Sequence, residues 1–243
     1  MQSLTLHSTP ESWKKKAERD AKYAKAAEAA REKHEKERAD KVKVYEEHAQ
    51  KYYEEHKAAL QKVIDDKRKA KSEGKIYVEA EPKVALLIRT KGIHKIDPCR
   101  KKILQLFRLR QINNAMLVKL NKATINMIKK IEPYITWGYP TRSTISKLIY
   151  KRGYARIDGS RIPLSDNEII EGQLGKHGII CIEDLINELA TVGPHFKEAN
   201  LFLWPFKLDQ PNKGWENKPK PYQQGGTWGR RDEKINELAL KMI

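Results

Sequence analysis

The sequence predicts an α+β domain: a split β-α-β sheet with helices on one face, preceded by a long helix and followed by an extended tail that ends in a short helix. Three observations predict it. The run after Pro10 up to Glu73 has no Pro or Gly and is rich in Ala, Lys, Glu and Arg, all strong helix formers. The next stretch alternates short apolar runs with amphipathic patterns, in the order strand–helix–strand–helix, with further strands later. Finally, Gln210 to Gly229 is rich in Pro, Gly, Asn, Gln and Lys and reads as a loop or linker.

Charge divides the chain at the same places. Of 243 residues, 49 are Lys or Arg and 32 are Asp or Glu, a formal charge of +17. Residues 1–74 hold 19 basic and 15 acidic side chains, a net +4. Residues 75–209 hold 23 and 13, a net +10, and nearly all of the Ile, Leu and Val. Residues 210–243 hold 7 and 4, a net +3. The reading is therefore a basic helical extension, an α+β core and a tail.

Ser8 with Glu11 has the spacing of a capping box, Pro10 suits an early helical position, and Gly74 is a natural stop. Glu18–Lys22, Glu32–Lys36 and Glu37–Lys41 have the i,i+4 spacing of supporting pairs. Roughly 60 residues at ~1.5 Å each make a rod of about 90 Å, whereas a globule of ~170 residues has a radius of gyration near 15 Å. Such a helix cannot be covered by its own domain. Its large apolar residues keep no 3.5-residue repeat, which argues against a coiled coil. A solvated single helix, or partly disordered arm, and a helix ordered on an external surface both remain open.

In the core, Val84 to Arg89 is the first strand. Asp97-Pro98 starts a helix as N-cap and first helical residue, with Ile103, Leu106 and Phe107 on one face and Lys101, Gln105 and Arg108 on another. Asn113-Asn114 turns into the second strand, Ala115 to Leu120. Thr124 opens a helix carrying Ile125, Ile128 and Ile131 that must end before Pro133. A third helix runs from Ser143 to Arg152, closed by Gly153. Tyr154–Ile157 and Arg161–Leu164 flank Asp158-Gly159, a type I′ hairpin signal. Ser165 with Glu168 is read as a capping box, with Gly175 ending that helix. Ile179–Ile182 reads as a short strand and Glu183–Ala190 as a helix. At the end of the tail, Ile235, Leu238, Ala239 and Met242 form an amphipathic stripe.

Most chemistry is excluded by what is missing. The longest apolar run, Val84 to Ile88, is far short of the ~20 residues that span a bilayer, and Met1 to Pro10 has no signal-peptide pattern. Two cysteines, Cys99 and Cys181, make neither a disulfide framework nor a four-thiolate zinc site. Gly175-Lys176 lacks the earlier Gly and the following hydroxyl of a phosphate loop, and no Gly-rich turn follows the first strand. Gly172-Gln173-Leu174-Gly175 matches the GxxG of KH domains, but two fixed positions are weak evidence and a helix end explains them better. His177, Cys181 and His195 are too few and too scattered for a metal site. No serine elbow is present, and Asp65-Asp66 lies on the polar rod. No catalytic residue, metal or cofactor is expected.

What remains is a set of basic clusters interleaved with aromatics: Arg100-Lys101-Lys102, Arg108-Leu109-Arg110, Lys119 to Lys122, Tyr139 to Arg142 and Tyr150 to Arg156. Lys and Arg neutralise phosphates, and Tyr and Trp stack on unpaired bases. Arg100, Lys101, Arg108, Arg110, Lys119, Lys122, Arg142, Lys151, Arg152 and Arg156 are the candidate RNA contacts. Trp204-Pro205-Phe206 reads as packing rather than as a stacking platform.

Longer motifs in the same order carry a resemblance. Gln111-Ile112-Asn113-Asn114, Val118 to Ala123, Ile131 to Pro140, Leu148 to Tyr154, Leu174 to Ile186 and Phe196 to Lys207 resemble a family of large-subunit ribosomal proteins, numbered seven in eukaryotes and thirty in bacteria. The likeness is dense over residues 83–207, loose over the last helix, and a matter of character only over residues 1–74. It implies a ferredoxin-like core, binding to large-subunit rRNA, neighbouring ribosomal proteins as partners, a long helix ordered on the particle, and no catalysis, small-molecule substrate or membrane. It also implies a cytoplasmic ribosomal location with nucleolar passage during assembly. The family has a nucleolar relative that acts in ribosome biogenesis on pre-ribosomal RNA; the KRGY and FLWPFK stretches are more similar to the ribosomal member. An enzyme acting on RNA or nucleotides is the reading from a different class.

Overall fold

A computed structural model describes residues 10–215 and 217–243. Ser8, half of the expected capping box, lies outside them. The chain divides into two compact units, Met1–Gln50 and Lys51–Ile243. Helix α1, Glu11–Ser72, begins in the first and ends in the second, and none of its side chains is buried. Within the first unit Glu11 pairs with Lys15 at 2.7 Å, one turn on. The helix stops where expected: Gly74 takes φ +66°, Lys75 N–H donates to Ala70 O at 2.8 Å, and the closing turn is of the left-handed kind that glycine favours.

In the second unit a five-stranded sheet has β1, Val84–Arg89, at its centre. β2, Asn114–Lys119, and β3, Ile135–Gly138, flank it antiparallel, with Leu86 opposite both Leu117 and Gly138. β6, Phe206–Lys207, extends the sheet beyond β2, and β7, Gly229–Asp232, runs parallel to β3 on the other edge. A separate hairpin joins β4, Tyr154–Ile157, to β5, Ser160–Pro163. Its turn residues Asp158 and Gly159 have φ +48° and +77°, the two left-handed positions that a type I′ turn requires.

Helices cover both faces of the sheet, not one. The run Val84 to Ile88 is buried throughout rather than alternating, which only a sheet covered on both sides permits. Ala85, Leu87, Met116, Val118, Ile135 and Trp137 pack with α2, Pro98–Leu106, and α3, Lys122–Ile131. Leu86, Ile88, Ala115 and Leu117 face the opposite layer of α4, Arg142–Arg152, α6, Ile182–Thr191, and α7, Phe196–Phe202. The terminal helix α8, Ile235–Met242, completes that layer with its stripe of Ile235, Leu238, Ala239 and Met242 fully inside. The β1-α2-β2-α3-β3 succession is the ferredoxin-like core that the resemblance implies.

Local expectations hold at several caps. Asp97 caps α2 through Arg100 N–H, and Asn121 and Thr124 exchange hydrogen bonds in a capping box that starts α3 at Lys122, two residues before the expected Thr124. Elsewhere the structure corrects the reading. Leu106 is 60% exposed, and Leu104 takes its place in the core because α2 is rotated so that Ile103, Leu104 and Phe107 face the sheet. α5, Asn167–Leu174, has Asp166 rather than Ser165 at its N-cap, with no side-chain cap; Ser165 Oγ bonds Asp166 Oδ2 instead. Gly175 does not end that helix: a 3₁₀ turn continues to His177, and Gly178 at φ +74° closes it. Ile179–Ile182 is no strand, since Cys181 is the N-cap of α6: Asp184 N–H points at its Sγ, and Asp184 Oδ2 accepts from Ile180 and Cys181 N–H at 3.0 and 3.2 Å. No helix among the described residues is long and apolar enough to cross a membrane.

Candidate nucleic-acid interface

The basic loop after α2 is held from below by a buried arginine. Arg89 closes β1 at 3% exposure and faces only main-chain oxygens. Its Nη1 donates to Leu109 O at 2.7 Å and Arg110 O at 3.0 Å, its Nε to Lys91 O at 2.8 Å, and its Nη2 to Gly92 O at 2.6 Å. Burial pushes its pKa below the ordinary arginine value. A rigid guanidinium fork can satisfy four carbonyls this way, and a lysine cannot. Between those anchors the chain turns sharply, with Arg108 at φ +59° and Asn113 at φ +62°.

Arg108 fastens the same loop to the far side. Its Nη1 donates to Leu203 O at 2.8 Å and its Nη2 to Asn200 O, at the end of α7. Burial first, and then the charge of nearby Arg156, push its pKa down to about 10. An anion beside Arg108 and Arg156 would offset that repulsion.

Such a place exists. Arg108, Arg110, Gln111 and Asn114 line a groove of about 400 Å³ together with Arg156 and Gly159 of the hairpin, and with Trp204, Pro205 and Lys207 around β6. Three of the sequence-predicted contacts, Arg108, Arg110 and Arg156, thus meet in one cleft. Four cations line it and no carboxylate does. The side chains of Arg110, Arg156 and Lys207 are exposed and make no hydrogen bond or ion pair among the described residues. Sequence reasoning missed Lys207 and the amides, and Trp204 is half-buried at the groove rather than in the core; Phe206 alone of that trio's rings is fully inside. The signal was present in the alternation Trp204-Pro205-Phe206-Lys207, which puts Phe206 on one side and Lys207 on the other.

The remaining predicted contacts do not join the groove. Arg142 is used within the protein: its Nη1 donates to Tyr52 O at 2.9 Å, and its Nη2 lies 3.9 Å from Glu183 Oε2. Tyr150 Oη donates to the other oxygen of Glu183 at 2.8 Å, and burial raises its pKa. Arg152 donates to Ile243 O from Nε and Nη2 at 3.1 and 2.8 Å and pairs with Asp209. Both residues tie elements together. Arg100 and Lys101 are exposed on α2, Lys119 and Lys122 at the join of β2 and α3, and Lys151 at the end of α4.

A second basic surface, missed by the sequence reading, already has its cations on rings. Lys91 lies 5.6 Å from the Tyr134 ring and 6.0 Å from Trp228, and Arg231 lies 4.2 Å from Tyr222. Arg230 stands between Trp137 and Tyr139 at 5.7 and 5.6 Å.

The residues behind the weaker chemical readings have places of their own in the packing. Cys181 caps α6, and burial pushes its thiol up to about 11, away from thiolate character at neutral pH. His177 and His195 stack on each other with centroids 4.5 Å apart. Gly172 and Leu174 lie within α5, so the GxxG pattern is not an exposed clamp between helices.

Residues 85–135 match the family model for ribosomal protein L30p/L7e, and residues 9–80 match that for the ribosomal L30 N-terminal domain. The large ribosomal subunit protein uL30 of Tetrahymena thermophila is 58% identical over 195 residues, 80% of this chain and 82% of that protein. Its counterpart in Caenorhabditis elegans is 51% identical over 204 residues, 84% of each. Large ribosomal subunit protein uL30A of Paramecium tetraurelia is 50% identical over 236 residues, 96% of this chain and 94% of that protein. The chain belongs to the ribosomal protein L30p/L7e family. The L30p/L7e segment covers β1, α2, β2 and α3 and so supplies Arg108, Arg110, Gln111 and Asn114 of the groove. Arg156, Trp204 and Lys207 lie beyond that segment, so the cleft forms where it meets the β4–β5 hairpin and the chain around β6.

Proposed function

We propose that this chain is a structural, non-catalytic constituent of the large ribosomal subunit that binds and positions large-subunit rRNA. The observation that carries the reading is likeness along nearly the whole chain to proteins named for that subunit, 50% identity over 236 residues in one case. The uncompensated groove supports it: four cations facing one cleft without a carboxylate are stabilised by a phosphate chain. Arg110 and Arg156 contact RNA in the groove, while Arg100, Lys101, Lys119, Lys122 and Lys151 contact it from the open surface. Arg108, Arg142 and Arg152 act by holding the RNA-facing segments in place. Residues 1–74 work as a basic helical extension, 75–209 as the rRNA-binding core and 210–243 as a tail that closes the core. Neighbouring ribosomal proteins are the further partners, and the nucleolus is a stage of assembly.

Sedimentation of cell extract through a sucrose gradient, after a high-salt wash and with immunodetection of this chain, tests the reading. Signal on free large subunits, monosomes and polysomes is expected. Signal confined to nuclear pre-ribosomal particles would make it an assembly factor, and signal only at the top of the gradient would overturn both.

A further inference from the structure

The groove has the features of a receptor for one unstacked base together with its flanking phosphates. Its size, about 400 Å³, suits a nucleotide rather than a helix. Its cations are of two kinds. Arg108 is spent on Leu203 and Asn200 carbonyls and stays fixed, whereas Arg110, Arg156 and Lys207 have free donors. Trp204 also lines the cleft, with its main-chain N–H held by Tyr154 O at 2.7 Å. Its ring makes no cation–π or ring–ring contact among the described residues, unlike Trp137 and Trp228, whose faces are already taken by Arg230 and Lys91.

A duplex hides the faces of its bases in the stack, so its phosphates could reach the arginines but no base could reach the indole. An extruded or single-stranded nucleotide can reach both. Gln111 and Asn114 add amide donors and acceptors beside the same space, the groups that read a base edge. We infer that the cleft between the Arg108–Asn114 loop and Trp204–Lys207 receives an unstacked nucleotide of single-stranded RNA, its base on Trp204 and its phosphates on Arg110, Arg156 and Lys207. This inference rests on the rRNA-binding reading and narrows it to one site and one form of RNA.

The test uses the full chain and fluorescein-labelled ten-nucleotide RNA, single-stranded or annealed to its complement, titrated by anisotropy over a range of salt. Tighter binding of the single strand is expected. Trp204→Ala should weaken it about tenfold without changing the salt slope, because stacking releases no counterions. Trp204→Phe should recover most of that loss, which separates the ring's role from a folding defect. Replacing Arg110, Arg156 and Lys207 each with Gln should flatten the log K against log salt slope by about 0.7 per residue. Equal binding of duplex and single strand, or a Trp204→Ala variant that binds like the parent, would overturn the inference while leaving ribosome association untouched. Competition by free adenosine monophosphate as effective as that by the strand would also overturn it, by making the cleft a small-molecule site.

Discussion

Replacing Arg89 should destabilise the protein more than replacing any exposed arginine, although Arg89 forms no ion pair among the described residues. Consider Arg89→Leu, which keeps an apolar stem and removes the donors. The Leu109 carbonyl is dry, so losing its partner costs about 1–3 kcal/mol. The acceptors on Lys91, Gly92 and Arg110 are partly reached by water and lose about 1 kcal/mol each. Relief from burying a charge at 3% exposure returns part of this, leaving a net loss of about 3–4 kcal/mol. With a urea m-value of about 2 kcal/mol per M, the unfolding midpoint followed by circular dichroism should fall by about 1.5–2 M. Arg89→Lys should lose more than half as much, because an ammonium cannot span four carbonyls. A fall below about 0.3 M for Arg89→Leu, the scale of an ordinary surface change, would refute the idea that this residue anchors the basic loop after α2.

Gly138→Ala should loosen the end of the chain, because the added methyl would sit 2.2 Å from Asp232 O and 2.8 Å from Ile235 Cβ; a loss of about 2–3 kcal/mol is expected, with faster amide exchange confined first to residues 229–243. Arg142→Ala removes the donor to Tyr52 O and the partner of Glu183, so hydrogen exchange should rise in residues 51–59, with the global melting temperature little changed. Of the two cysteines, exposed Cys99 should react at once with a thiol reagent at neutral pH and buried Cys181 only after unfolding, so Cys99→Ser should abolish the fast phase. The Cys181 thiol titrates at about 11 when folded against an ordinary 9.0. Its contribution to stability is therefore complete below pH 9 and lost as pH rises from there through 11; Cys181→Ala should make the fall of stability over that window shallower by up to one proton.

Much of the architecture was legible because local chemistry agreed with it. Val84–Arg89 and the Asp158-Gly159 hairpin lie where read, since an apolar run and a pair of φ-positive turn residues each admit few alternatives. The long helix and its stop at Gly74 were equally clear. β7 was not, because Gly-Arg-Arg-Asp is polar and becomes a strand only by pairing with β3, where Arg231 Nε donates to Thr136 Oγ1 at 2.9 Å. The tail, read as a linker ending in a short helix, thus also contributes an edge strand to the sheet. Ile179–Ile182 failed in the opposite sense: its apolar, β-branched residues found no strand to pair with, and Cys181 took a serine's place as cap.

The candidate cations divide along the same line. Composition and motif by themselves determined that this protein is a basic α+β RNA binder of the L30p/L7e family, because net charge and local sequence are properties of the chain whatever its path. Which of ten candidate cations stand free in one cleft was decided only by the tertiary structure. Arg152 and Arg156 are four residues apart, yet Arg152 is bound to Ile243 and Asp209 while Arg156 faces the groove. Lys207, far off in sequence, joins Arg110 because β6 pairs with β2. Partners for a guanidinium come from whatever the fold brings beside it, and that proximity is set by packing between segments rather than by the residues next along the chain.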